Sequence, residues 1–283
     1  MIDYLCNAFT PDRREVWNDA LGISSVGVHL DAGHDFVEPE VMVDRMDQLG
    51  LSRMIVCTTD VGPLPKLLNP FDRFEEVTSR WAETERLAGR WPDHFAALAA
   101  VDPSKGFGGV EEIRSRLSQP WVVGLYIHTH SWDRRFDHAD YYPYFALCSE
   151  LDVPVVMQAG VSGGLMASEC GRPVTIDRAA LYFPETRFVL SHTGWPWVSE
   201  AIAMALKRPN VFIGTASYPP RHWDAELLRF LNGPGRKKVL FGTNYPMVGH
   251  ARAIEEVGEL GLSSEVELAL MSENARTVFP RLG

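Results

Sequence analysis

An α/β fold with eight parallel strands closed into a single-domain (β/α)8 TIM barrel over residues 1–283 is what three observations in this sequence predict. Eight short apolar runs recur along the chain. Most are separated by segments of helical periodicity, and several end in a small residue followed by a polar side chain capable of chemistry. The predicted strands are 2–6, 53–58, 95–101, 122–128, 153–158, 187–191, 210–214 and 238–242. Their continuous apolar character suits parallel strands buried on both faces.

The segments between them carry the helix signal. Val41, Met42, Met46 and Leu49 share one helical face before the second strand, and Phe71, Phe74, Val77 and Trp81 do so before the third. Leu49-Gly50-Leu51 and Leu151-Asp152-Val153-Pro154 have the punctuation of a helix end leading into a strand. The longest irregular stretches, 7–36, 60–70, 129–140 and 159–175, all follow strand C-terminal ends, the face on which a barrel carries its site. An open doubly wound sheet would want a Gly-rich phosphate turn after the first strand, and Cys6-Asn7-Ala8-Phe9-Thr10-Pro11 is not one.

Composition narrows the function classes. A chain of 283 residues, 46% hydrophobic and 23% charged, can bury a large core, and no linker or low-complexity tract marks a second domain. A formal charge of −10 and the lack of basic runs argue against nucleic acid or an anionic membrane as partner. Cys6, Cys57, Cys148 and Cys170 show no CxxC pair and read as free thiols. With neither a signal-peptide pattern nor a ~20-residue apolar span, the expectation is a cytoplasmic protein acting on a small molecule.

Five motifs in order carry a family resemblance: Ile2-Asp3, Met46-Asp47-Gln48-Leu49-Gly50, Leu190-Ser191-His192-Thr193-Gly194, Phe241-Gly242-Thr243-Asn244-Tyr245-Pro246, and Ser272-Glu273-Asn274-Ala275-Arg276. Over nearly its whole length the chain resembles the amidohydrolase-2 family of metal-dependent decarboxylases and hydrolases. The resemblance implies a divalent ion held by two histidines after the first strand, one after the fifth, one after the sixth, and an aspartate after the eighth. Here Leu5 and Asn7, Gln158, His192 and Asn244 stand at those places, so only His192 is retained. Leucine cannot ligate and neutral amides are poor ligands, so no metal and no other cofactor is expected. The resemblance also offers a homodimer, by analogy alone.

The replacements suggest a chemistry of their own. Asn7, Gln158 and Asn244 can donate and accept hydrogen bonds where a cation would sit. They serve either as polar filling or as donors to charge developing on a substrate oxygen. The catalytic candidates are His192 as general base, His128 as proton donor, and Asn244 and Gln158 as oxyanion donors. Asn7, His130, Trp195, Tyr218, Arg221 and Tyr126 are the substrate-binding candidates, with Arg221 assigned to a substrate carboxylate. His128, His130 and His192 form an alternative three-imidazole metal set.

Other candidates carry weaker signals. Cys6 is conceivable as a thiolate beside His192, His29 and His34 as parts of a closing loop, and Gly160-Val161-Ser162-Gly163-Gly164 as an anion cradle, whereas His94 lies at the stability face. The expected activity is metal-independent hydrolysis of a small cyclic or aromatic carbonyl or carboxylate compound. Decarboxylation of an aromatic or unsaturated acid is the nearest alternative. A noncatalytic small-molecule binding barrel is the third.

Overall fold

The structure of the chain, a computed structural model, describes residues 1–17, 36–58, 62–64, 80–162 and 166–283. The expectations for His29, His34, Phe71, Phe74, Val77, Gly163 and Gly164 lie outside the described residues.

Eight strands, β1 (Ile2–Cys6), β2 (Arg53–Cys57), β3 (Phe95–Ala100), β4 (Val122–Ile127), β5 (Val155–Gln158), β6 (Phe188–Ser191), β7 (Val211–Gly214) and β8 (Val239–Leu240), pair in chain order, each parallel to the next. The sheet returns to its start: Cys6 bridges Tyr245, Tyr4 N donates to Phe241 O at 3.2 Å, and Asn244 N donates to Leu5 O at 2.9 Å. This is a (β/α)8 barrel. β5 begins two residues later than the sequence suggests, because Pro154 has no N–H to give the ladder.

Alternation along the strands sorts their side chains into two layers. Ile55, Leu98, Val156, Val189, Phe212 and Leu240 pack together inside the barrel. Leu125, Met157, Leu190, Ile213 and Val239 face outward into the larger layer beneath the helices. Helix Pro39–Leu49 shows how sequence sets an element of that outer ring. Proline occupies its first turn, Met42, Val43 and Met46 form its buried face, and Gly50 ends it at φ 69. The closing helix Asn274–Val278 sends Ala275, Val278 and Phe279 into the inner layer, and Asn274 Nδ2 donates to Val239 O at 2.7 Å.

Asp3, the acidic residue of the first motif, has a structural task. Wholly buried, its carboxylate accepts from Leu5 N at 3.1 Å, Thr243 N at 3.0 Å, the Thr243 hydroxyl, and His250 Nε2 at 2.9 Å. One buried anion with four donors therefore clasps the end of β8 to β1 and fixes where residues 5–7 and 243–245 stand. No described helix is long and apolar enough to cross a membrane.

Candidate active site

The strand C-terminal ends converge on a buried polar cluster, and the backbone there is unusual. His192, Thr193, Ser217 and Asn244 all adopt left-handed conformations, with φ of 65°, 55°, 74° and 54°. Such angles are uncommon outside glycine and concentrate at functional sites, where surrounding structure holds the strain. They turn the side chains after β6 and β8 toward one another. Asn244 Nδ2 lies 3.4 Å from His192 Nε2 although the residues are 52 positions apart.

Hydrogen bonds run outward from that pair. Asn244 Nδ2 donates to Ser217 Oγ at 2.6 Å, and Asn244 Oδ1 accepts from Asn7 Nδ2 at 2.7 Å. Asn7 Oδ1 in turn accepts from the Cys57 thiol at 3.2 Å. On the other side of the imidazole, His192 Nδ1 is 2.8 Å from Ser191 Oγ, itself 2.7 Å from Tyr4 Oη. Gln158 ends β5, with its Oε1 3.5 Å from the hydroxyl of Tyr126.

The two histidines after β4 are also buried. His128 Nδ1 accepts from Ser131 N at 3.3 Å, so the neutral ring carries its proton on Nε2. His130 Nε2 is 2.8 Å from Gly160 O, which makes that nitrogen the protonated one and leaves Nδ1 as a bare acceptor with no partner. Burial pushes all three imidazoles down: His192 to about 3, with His130 adding to the effect, His130 to about 4, and His128 well below its ordinary value, with His130 and His192 contributing. Each is therefore neutral at pH 7.

The remaining candidates fall in different places. Trp195 and Tyr218 stand with ring centroids 6.2 Å apart, Trp195 half exposed and Tyr218 with its phenol pushed up to about 12 by burial. Arg221, the residue assigned to a substrate carboxylate, is exposed; its Nη1 pairs with Glu256, a carboxylate that Arg252 Nε also reaches at 2.8 Å, and its Nε bonds His222 Nε2 at 3.1 Å. Cys6 packs with Met42, Met46 and Met54 outside the barrel, and burial holds its thiol well above the usual range, which removes it as a nucleophile beside His192. His94 bonds Asp47 Oδ1 at 3.0 Å away from the cluster. Cys57, Ser217 and Tyr4 belong to the cluster and were missed by the sequence reading. Cys57 was discoverable as the last residue of β2, whereas Ser217 reaches Asn244 through a left-handed turn that no motif announces.

The residues present do not fit the divalent ion that the family pattern implies. Asn7 and Asn244 satisfy each other, His192 is flanked by an amide and a hydroxyl, and Leu5 contributes only carbon. Among the described residues no three His, Cys, Asp or Glu side chains converge, and the three-imidazole alternative does not form, with His130 committed to Gly160. Elemental analysis of purified protein is therefore expected to find transition metal well below one equivalent per chain, with melting temperature unmoved by chelator. About one equivalent, lost together with stability on chelation, would contradict this.

A parallel eight-stranded barrel with its polar cluster at the strand C-terminal ends defines the class of protein. The chain belongs to the amidohydrolase family, whose sequence profile, described as Amidohydrolase, matches residues 14–281. Its fold is similar to that of an uncharacterized TIM-barrel protein from Bordetella bronchiseptica, at TM-score 0.80 and 20% identity, covering 100% of this chain and 99% of that one. It is also similar to 5-carboxyvanillate decarboxylase from Sphingomonas paucimobilis, at TM-score 0.66 and 16% identity, covering 99% and 98%. 2,6-Dihydroxybenzoate decarboxylase from Rhizobium matches at TM-score 0.65 and 16% identity, covering 100% of both chains. No curated protein matches the sequence.

Proposed function

We propose that the chain is a carboxy-lyase that removes carbon dioxide from a small aromatic or unsaturated carboxylic acid by proton transfer from imidazole. The observation that carries this reading is a cluster of buried, uncharged side chains at the strand C-terminal ends: His128, His130 and His192 kept neutral, with Asn7, Asn244 and Gln158. Decarboxylases of aromatic acids among proteins of similar fold support it.

The same observation counts against hydrolysis with His192 as base. An imidazole held near 3 is a weak base toward water, and general-base efficiency falls as the catalyst's pKa drops below the working pH. Decarboxylation asks for something else. Its starting group is a localised carboxylate, which buried, water-poor surroundings hold less well than the neutral ring and carbon dioxide that form as the C–C bond breaks.

The proton economy follows from the same electrostatics. A carboxylate entering beside His128 and His192 favours their charged forms, so one imidazole takes up a proton as substrate binds. That proton passes to the ring carbon bearing the carboxylate, the electron pair of the C–C bond follows, and carbon dioxide leaves with the imidazole again neutral. His192, whose Nε2 can take up the proton and return it, is assigned the donor role, while the Nε2–H of His128 together with Asn244 and Gln158 orients the substrate oxygens.

Incubating metal-free protein with hydroxybenzoic acids in D2O is the test. Carbon dioxide release with deuterium at the vacated ring position is the expected result. Oxygen from labelled water in the product of a lactone or ester, without carbon dioxide release from any acid, would restore hydrolysis. Tight binding with no turnover would overturn both in favour of a binding barrel.

A further inference from the structure

Two hydroxyl groups buried beneath the candidate site have no role in the chemistry above. Tyr4 rises from the middle of β1 inside the barrel, and its hydroxyl is 2.7 Å from Ser191 Oγ, which is 2.8 Å from His192 Nδ1. Tyr4 and Ser191 are wholly buried, so the pair meets no solvent. Tyr4 fits only because two neighbours lack side chains. A Cβ at Gly214 would overlap its hydroxyl and one at Gly242 its ring edge. The barrel interior is thus built around this phenol, and burial keeps it protonated by raising its pKa far above the ordinary value.

The position behind a working histidine is commonly filled by a carboxylate or a backbone carbonyl, which selects the tautomer and steadies the imidazolium. Among the described residues neither stands there, and the ring nitrogen away from Asn244 meets the Ser191 hydroxyl. At the opposite nitrogen, Asn244 Nδ2 lies 3.4 Å away; one of its hydrogens goes to Ser217 Oγ and the other is left for His192 Nε2, Asn244 Oδ1 being turned to Asn7. That arrangement places the lone pair at Nε2 and the hydrogen at Nδ1, where Ser191 Oγ accepts it.

We propose that Ser191 and Tyr4 are positioning residues for His192, a buried neutral hydroxyl pair that holds its ring in the Nδ1–H tautomer with Nε2 turned to Asn244. The consequence for activity rests on the reading of His192 as a group that exchanges protons with substrate; the tautomer itself does not. Tyr4→Phe keeps the ring that fills the space over Gly214 and Gly242 and removes only the hydroxyl. Ser191→Thr keeps the hydroxyl, and Ser191→Ala removes it.

Imidazole nitrogen NMR of the full-length protein labelled with ¹⁵N-histidine tests this directly, with His192→Gln serving to assign the resonance. Wild type and Ser191→Thr are expected to show one His192 tautomer, protonated at Nδ1. Ser191→Ala, and to a smaller extent Tyr4→Phe, are expected to give a mixture. If both hydroxyl-removing variants fail to fold, the wild-type spectrum decides, since an Nδ1 without a bound proton overturns the proposal. An unchanged single tautomer in folded Ser191→Ala overturns it equally. With a substrate in hand, Ser191→Ala is expected to lower kcat about tenfold with KM little changed, the split of a group acting through another. A tautomer change in a protein that decarboxylates no acid would refute the proposed function while leaving this inference intact.

Discussion

His192→Gln is expected to lower decarboxylation of the substrate acid by about 10³-fold or more, the scale of losing positioned proton transfer together with the interactions that hold it. Glutamine retains hydrogen bonding and approximate volume beside Asn244 and Ser191 but cannot carry a proton between states. Folding should survive, because the neighbouring amides and hydroxyls can pair with the new side chain. Asn244→Asp should cost about 10²-fold by a different route: it sets a negative charge where the substrate carboxylate must lie and puts an acceptor in place of the Nδ2 that donates to Ser217 Oγ and faces His192 Nε2. Steady-state rates for the two variants, beside their melting temperatures, provide the check. Full activity in His192→Gln would remove the imidazole from the mechanism and leave His128 to account for it alone.

A steep loss of stability in mild acid is the second large effect expected. His128, His130 and His192 have folded pKa values below the 6.5 of an unfolded histidine. Below that pH the unfolded chain binds protons that the folded chain refuses, so the equilibrium shifts toward unfolding as pH falls. The loss begins near pH 6.5 and continues until each folded value is reached, about 4 for His130 and about 3 for His192. By pH 5 His130 and His192 each contribute roughly 2 kcal/mol of destabilisation, and His128 acts in the same direction. Against a total of roughly 5–15 kcal/mol for a typical domain this is a major fraction. Thermal melts at pH 7.5, 6.5, 5.5 and 5.0 should show it, and a melting temperature constant across that series would show that the imidazoles are hydrated in the folded protein. A carboxylate ligand should reverse part of the loss, because it raises the same imidazoles.

The barrel was legible because its strands obey a local rule. Runs such as Val155–Gln158 and Phe188–Ser191 are apolar throughout, and an apolar strand buried on both faces leaves few alternatives to a parallel sheet wrapped in helices. Residues at strand ends were legible for the same reason: Asn7, His128, Gln158 and His192 follow directly from where the apolar runs stop. What escaped was the set fixed by loop backbone and by inward packing. Ser217 meets Asn244 through a left-handed residue, and Arg221 lies in the same loop but is captured by Glu256, on a helix 35 positions later. Cys6 and Cys57 exchange their expected importance because the register between β1 and β2 shifts between Asp3 and Cys6, turning Cys6 outward. Tyr4 was hidden by size, since nothing in a strand sequence says that two distant glycines, Gly214 and Gly242, make room for one phenol.

The clasp between the first and last strands bears on how this chain reaches its working shape. Asn7 meets Asn244 across 237 positions, and Asp3 meets Thr243 across 240. Contacts of such long sequence separation are won late and slowly, after nearer strands have paired, because the intervening chain must first surrender its freedom. The Asn7–Asn244 side of the cluster is accordingly expected to close late in folding. A nascent chain that has emerged just past β6 already carries His128, Gln158 and His192 but lacks Ser217 and Asn244. Binding of a small acid would then report ring closure itself.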